Sequence, residues 1–336
     1  MNRGTRIVFI PGDANGIGPE LTAKFFAEPP QNGVHAVLLG DESSIRVGCE
    51  HAGVNLKLHP ISPDFSDIDK TPADTVSYLR RDGGHEIQTG RATADSGRAS
   101  LADLDAAVRC VVEGHADGVC FAPLNKEAMI AGGMRTEDEL TYLANKLGCK
   151  GPCSEINILQ NTVWTSRVTS HVSLRKAPDL ITEEKIIRAA KLIDGALRES
   201  GKSSPRIAVA ALNPHAGDGG NFGREEIEVI APAVQAAQAE NMVIDGPFPA
   251  DTVFVRAFAG EFDGIVTMYH DQGQIAIKLM GFERGVSLLG GLPVPIATPA
   301  HGTAFDIAGR GRANVGATRN AFTVVSEIAT RRRRSE

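Results

Sequence analysis

Short apolar runs alternate with longer amphipathic stretches along the whole chain, and this alternation is what most constrains the fold. Strand-length runs occur at Arg6–Ile10, His35–Leu39, Gly118–Ala122, Arg167–Thr169, Arg206–Ala211 and Gly264–Met268. Between them, helical patterns cover Gly18–Phe26, Ser100–Glu113, Glu137–Lys146, Thr182–Ser200, Gly223–Glu240 and Gly302–Ile307. In the 182–200 stretch, Ile186, Ile187, Ala190, Ile193 and Leu197 recur near a 3.6-residue period, which puts them on one helix face. Alternating β and α units predict an α/β fold with mostly parallel sheets covered on both faces. At 336 residues the chain exceeds one ordinary core, which predicts two domains or one large α/β unit.

The composition excludes several classes of function. A net charge of −6 disfavours general nucleic-acid binding, which needs a basic face to neutralise phosphates. The one basic cluster, Arg331–Arg334, suits the negative end of a C-terminal helix. No stretch reaches the ~20 apolar residues that cross a bilayer, and MNRGTRIVFI has no signal-peptide pattern, so no membrane association and a cytoplasmic location are expected. The five cysteines are an odd number in a large chain and predict free thiols. Cys149 and Cys153 form the only close pair, with no second pair to complete a structural zinc site.

Three motifs carry chemistry. The first is PGDANGIGPE, Pro11–Glu20, directly after the first strand, where Gly12, Gly16 and Gly18 allow a tight turn before a helix beginning near Pro19. Its spacing is not G-x-G-x-x-G, and no G-x-x-x-x-G-K-[ST] occurs, so neither the ordinary Rossmann fingerprint nor a P-loop is present. The second is a set of three histidines, each at the end of a strand-like run: His171 in TSRVTSHVSL, His215 in AVAALNPHAGDGG and His270 in VTMYHDQG. Open α/β sheets place their sites at strand C-termini, and three imidazoles with an open fourth position suit Zn²⁺ or a similar ion. The third is HGTAFDIAGRGRAN, His301–Asn314, a backbone-rich turn of the kind that can wrap an adenine and ribose. His35, His51, His59, His85 and His115 occur singly and suit surface or packing roles. Lys126, in APLNKEAM, follows a strand and either faces a cleft or begins an exposed helix.

Together these motifs resemble the 4-hydroxythreonine-4-phosphate dehydrogenase family of the pyridoxal phosphate pathway. PGDANGIGPE, APLNKEAM, LNPHAGDGG, DGPFPADTVF, MYHDQG, GFERGV and HGTAFDIAGRGRAN follow the family's order over nearly the whole chain. That family is similar in fold to isopropylmalate and isocitrate dehydrogenases. The resemblance therefore implies a two-domain α/β/α architecture, with residues 1–128 and 303–336 in one domain and 129–302 in the other. It also implies a homodimer whose active sites lie between domains and draw on both subunits. It assigns a divalent metal, zinc by preference, to His171, His215 and His270, and substrate contact to Lys278. His301, Gly302, Ala304, Asp306, Gly309 and Asn314, with Gly12, fall where the resemblance puts NAD; NADP is left open.

The chain departs from the family in its substrate contacts. Where the family reads Gly-His-Thr-Glu, this sequence reads Asp138, Glu139, Leu140 and Thr141. The family's substrate-binding Asn is Ser287, and its substrate-binding Arg falls at Ile296. A phosphate needs cationic or hydrogen-bond donors around it. At an effective dielectric of about 20, one carboxylate ~5 Å from a unit negative charge costs about 3 kcal/mol. Arg135 and Arg284 are the nearby residues able to compensate. The preferred reading is an NAD-dependent dehydrogenase of an unphosphorylated hydroxy acid, oxidation being followed by decarboxylation where the substrate permits, as in the terephthalate dihydrodiol type. One alternative is the vitamin-pathway enzyme itself; another is a phosphate acetyltransferase-like protein of the same broad fold. Lys278 handles a proton or a carboxylate in this scheme, and Asp251 and Asp271 orient it or the metal-bound water.

Overall fold

The computed structural model describes residues 3–29, 33–159 and 162–335. In chain order the elements are β1 (Arg6–Ile10), α1 (Gly18–Ala27), β2 (His35–Gly40), α2 (Glu42–Ala52), β3 (Leu58–Pro60), β4 (Val76–Arg80), α3 (Ala94–Val112), β5 (Gly118–Phe121), α4 (Lys126–Ala131) and α5 (Glu139–Lys146). They continue as β6 (Ser154–Leu159), β7 (Val163–Arg167), α6 (Glu183–Glu199), β8 (Ile207–Ala210), α7 (Ala231–Ala239), β9 (Ile244–Phe248), α8 (Ala250–Phe258), β10 (Gly264–Thr267), α9 (His270–Gly281), β11 (Val286–Gly290), β12 (Ile296–Pro299) and α10 (Gly316–Ser335). The chain is thus mixed α/β with mostly parallel strands, as the alternation predicts. Among the described residues no helix is long and apolar enough to cross a membrane.

Two compact units form, Met1–Gly151 with Leu292–Glu336, and Pro152–Gly291. These limits differ from an expected division at 128 and 303. Helix α5 stays with the first unit because Tyr142 Oη donates to Asp105 of α3 at 2.7 Å. Strand β12 stays because it pairs in parallel with β5, Ile296 opposite Val119.

The first unit orders its strands β3-β4-β2-β1-β5-β12, all parallel. Strands β1 and β5 are wholly or nearly buried and read as continuous apolar runs, as strands covered on both faces do. Phe9 and Phe25 stack with centroids 4.9 Å apart, Phe26 meets both edge-on, and Phe322 of α10 closes on Phe25 at 4.9 Å. This aromatic contact fastens the C-terminal helix to the first strand and helix. The arginine run, expected as a solvated tail suited to the helix's negative end, is instead tied in part to other elements: Arg333 bonds to Asp117 at 3.0 Å and Arg332 to the Pro293 carbonyl at 2.6 Å.

The second unit orders its strands β11-β6-β7-β10-β8-β9. Strands β7, β10, β8 and β9 are parallel, while β6 joins β7 and β11 antiparallel. Strand β7 runs over Val163–Arg167, earlier than the expected 167–169, because its polar residues are buried with partners. Ser166 Oγ donates to the Ala189 carbonyl at 3.0 Å, and Arg167 Nη1 to Asn157 Oδ1 at 2.7 Å.

The Phe25–Phe322 contact predicts a measurable cost. Phe322 is fully buried, so Phe322→Ala should destabilise the first unit by about 3–5 kcal/mol. An unchanged urea midpoint for that variant would show that α10 is not packed as described.

Candidate active site

The site begins with strand polarity. Strands β7, β10 and β8 are neighbours and parallel, so their C-terminal ends share one edge, and His171, His270 and His215 follow them. The ends are tied together. Thr169 N and Oγ1 both donate to the Met268 carbonyl, at 3.2 and 2.8 Å, linking the end of β7 to that of β10. Gln272 accepts from Met268 N at 2.7 Å and donates to the Ala211 carbonyl at 2.7 Å, linking β10 to β8.

His171 and His270 come together, with ring centroids 6.0 Å apart. They line a cavity of about 260 Å³ with Ser170, Leu174, Tyr269 and Asp271. His270 Nδ1 lies 2.7 Å from Asp271 Oδ1. With Nδ1–H donating to that carboxylate, the lone pair is on Nε2, the form a metal binds. His215 occupies the end of β8 on an unusual turn: His215, Ala216, Gly217, Asp218 and Gly219 all have positive φ, from +46 to +82°. Left-handed backbone costs roughly 1–2 kcal/mol for each non-glycine residue, so the surroundings must hold it. Among the described residues, no three His, Cys, Asp or Glu side chains are drawn within one ion's reach. Two of the expected ligands are assembled, and the third is at the adjacent strand end.

A buried polar network lies behind these histidines. Asn157 Oδ1 accepts from Arg167 Nη1 at 2.7 Å and from Gln274 of α9 at 2.6 Å, and its Nδ2 donates to Ser287 Oγ at 3.0 Å. Arg167 Nε donates to Ser170, next to His171, at 2.9 Å, and Arg167 also pairs with Glu155. Ser287 is therefore already hydrogen-bonded within the protein. Lys278 is exposed on the last turn of α9, roughly 12 Å along the helix from His270 at 1.5 Å per residue. Asp251 is exposed in the first turn of α8.

Two expected substrate contacts are core side chains instead. Leu140 of α5 is 8% exposed and Ile296 of β12 is fully buried, so neither offers a pocket surface. Glu139 opens α5 just after Asp138, whose carboxylate caps Thr141 N at 2.8 Å; an acidic first turn complements the helix dipole. Lys126 is exposed at the start of α4.

In the first unit the two glycine-rich motifs meet. Ile17 N donates to the Thr303 carbonyl at 3.0 Å, and Glu20 Oε1 accepts from Ala313 N at 2.8 Å. Lys24 Nζ reaches the carbonyls of Gly311 and Ala313 at 3.0 and 2.8 Å. Gly12 packs tightly against the chain that follows β5. Its φ is +73°, and a Cβ there would lie 2.3 Å from the Ala122 carbonyl, so close backbone packing on the end of β5 requires glycine. The expected helix over 302–307 is absent; Ala304 has φ +43° and the segment runs as open turns. Asn314 accepts from Gly316 N at 2.8 Å just ahead of α10. Gly302 and Asp306 are exposed, and Gly309 packs near the His51 ring. Asn15 fixes the neighbouring loop, accepting from Gln88 N at 2.7 Å and donating to the Arg91 carbonyl at 2.9 Å. Asn15, Glu20, Asn157 and Gln272 were not marked by the sequence; the first two lie inside the PGDANGIGPE motif and Gln272 inside MYHDQG, and that placement is their only signal.

The profile of the family described as "Pyridoxal phosphate biosynthetic protein PdxA" matches residues 33–325. The chain belongs to the PdxA family. A Pseudomonas aeruginosa protein named "Putative 4-hydroxythreonine-4-phosphate dehydrogenase 2" is 50% identical over 330 residues, 96% of each chain. A Symbiobacterium thermophilum protein named "Putative D-threonate 4-phosphate dehydrogenase" is 36% identical, again over 96% of each. Among solved structures, the 4-hydroxythreonine-4-phosphate dehydrogenase of Klebsiella pneumoniae superposes with a TM-score of 0.84 at 32% identity, covering 97% of this chain and 98% of that one. The terephthalate 1,2-cis-dihydrodiol dehydrogenase of Burkholderia xenovorans gives a TM-score of 0.65 at 28% identity, with the same coverage. PdxA membership makes this chain one of a family of dehydrogenases acting on a hydroxyl group.

His301 Nδ1 donates to the Gly302 carbonyl at 3.1 Å, and burial pushes the ring's pKa below its ordinary 6.5. The folded protein thus binds fewer protons than the unfolded chain there. The stability it contributes is full above pH 6.5 and is lost as pH falls toward the folded value. In an NMR titration the His301 ring protons should move with a midpoint below 6.5; a midpoint at or above it would mean a solvated ring.

Proposed function

We propose that this protein is a metal- and NAD-dependent dehydrogenase that oxidises a secondary alcohol of a small, unphosphorylated hydroxy acid. The observation that carries the reading is the His171–His270 pair on one cavity, with Asp271 on the Nδ1 side of His270. Neutral imidazoles backed by a carboxylate form a donor set that suits zinc. His171 and His270 would hold the ion, with His215 as third ligand from the neighbouring strand end. When bound, the metal supplies Lewis acidity that lowers the pKa of an alcohol, and the nicotinamide supplies the hydride acceptor.

The chain's own residues do the rest. Asp271 fixes the His270 tautomer, and Gln272 keeps the ends of β10 and β8 in register. Lys278, distant along α9, presents an ammonium to a carboxylate at the far end of an extended substrate. Asp251 stands in the neighbouring helix α8 to order solvent. A substrate with a carboxylate β to the new ketone would lose CO₂ after oxidation. The 301–314 segment, stapled to α1 by Ile17 and Glu20, is the cofactor platform.

The substrate assignment follows from charge. At the positions where the resemblance places substrate contacts stand Glu139, two buried aliphatic side chains and a serine engaged by Asn157. None of these four is cationic, which leaves Lys278 as the one cation among the contacts the resemblance assigns, so a phosphate of about −2 charge would lack most of its usual donors. A second reading, a phosphorylated four-carbon hydroxy acid, is favoured by the names of the relatives at 50% and 36% identity. The acyltransferase alternative has no support from the family. Exposed apolar residues in the second unit, Leu279 and Ile275 of α9 with Leu174 and Phe222, suit burial against a second copy and support a homodimer.

Zinc-loaded protein should reduce NAD with unphosphorylated hydroxy acids or cis-dihydrodiol carboxylates, and poorly with 4-hydroxythreonine 4-phosphate or D-threonate 4-phosphate. Efficient turnover confined to the phosphate esters would replace the preferred substrate by the second reading. Asp271→Asn should weaken zinc binding roughly 10–100-fold in a chelator competition; unchanged affinity would remove Asp271 from the site. Light scattering should give twice the chain mass for the wild type, and a wild type that runs as a monomer would refute the dimer.

A further inference from the structure

The His215 turn needs something to hold it, and the structure offers one buried group that the mechanism has not used. Glu226 is 2% exposed, yet it is a carboxylate. Its Oε1 accepts from Leu212 N at 2.9 Å and from Asn213 N at 2.7 Å, and its Oε2 accepts from Asn213 Nδ2 at 2.9 Å. Asn213 Nδ2 also donates to Glu225 Oε2 at 2.7 Å. These bonds fix the two residues that lead from β8 into Pro214 and His215. Gly217, at the middle of the left-handed turn, lies so close that a Cβ there would stand 2.7 Å from Glu226 Oε2. Glu226 also begins a π-type turn over Glu226–Ile230, a rare irregularity that recurs at functional sites.

A residue held in left-handed backbone persists only where its surroundings over-determine it. Here the surroundings are one acceptor-only side chain collecting three N–H groups. We infer that Glu226 is a positioning residue for the metal site: it sets the backbone from which His215 reaches toward the ion. The inference rests on the metal reading above. Glutamine at this position keeps the shape but turns one acceptor into a donor against Asn213 Nδ2, so the turn would relax and His215 would shift.

The test uses full-length protein loaded with Co²⁺, whose visible d–d bands report ligand identity and geometry, beside a Zn²⁺ competition with a chromophoric chelator. His215→Ala defines the spectrum without that ligand. Glu226→Gln should alter the cobalt bands and weaken metal affinity roughly 10–100-fold, the range typical of residues that orient a ligand. Asn213→Ala, which removes one bond to each carboxylate, should shift the spectrum in the same sense and by less. It carries the test if circular dichroism shows that Glu226→Gln does not fold. A spectrum that His215→Ala changes but Glu226→Gln and Asn213→Ala leave untouched would overturn the role of Glu226 alone. A spectrum that His215→Ala also leaves untouched would overturn the metal assignment and this inference with it.

Discussion

Parallel strands impose the constraint on which the rest depends. A strand joined to a parallel neighbour must return through a crossover, so every strand in such a set ends at the same edge. In the second unit this delivers the residues after β7, β10 and β8 to one place without any of them being close in sequence. Two backbone-directed ties, Thr169 to Met268 and Gln272 to Ala211, then convert a shared edge into a fixed spacing. The same constraint in the first unit brings the ends of β1 and β5 together, where Asp13 N donates to the Pro123 carbonyl at 3.0 Å.

Spacing is also fixed from within the unit, by buried polar groups whose valences are nearly all filled. Asn157 uses both ends of its amide across three elements. Such networks are worth having only when satisfied, since an unpaired buried polar atom costs about 1–3 kcal/mol. Glu20 shows the limit. Its Oε1 serves Ala313 N and Lys24, while Oε2 is buried without a partner among the described residues.

Much of this was legible in the sequence, for a physical reason. Apolar runs report strands covered on both faces, so β1, β2, β5, β8 and β10 were found nearly to the residue. Strand β7 was displaced because Thr165, Ser166 and Arg167 look solvent-facing and are in fact buried among donors and acceptors. The histidines were visible because strand ends are where sites form. Gly12 and Asn314 show what a motif leaves open: glycine and asparagine serve tight packing and turns at a helix start as readily as ligands, and only the neighbours decide which. Leu140 and Ile296 could be aligned to contact positions, but alignment does not say which way a side chain points. Glu226 was invisible, because a lone glutamate on an amphipathic helix reads as surface.

The substrate question turns on that last point. Replacing a cationic contact with an aliphatic residue removes a donor, and burying that residue also removes the surface where the donor stood. Ile296 does both, paired within β12 against Val119. Glu139 goes further by placing an acidic side chain at a helix N-terminus, the one backbone feature that would otherwise attract an anion. A phosphate brought to that helix start would meet a carboxylate already using the dipole. On the proposed reading, the positions that differ from the family's pattern act in one direction, away from a doubly charged group. The histidine-bearing strand ends and the α1-to-loop staple are separate parts of the architecture and do not depend on them. On that reading, one dehydrogenase frame would keep its hydride chemistry while its choice of hydroxy acid changed.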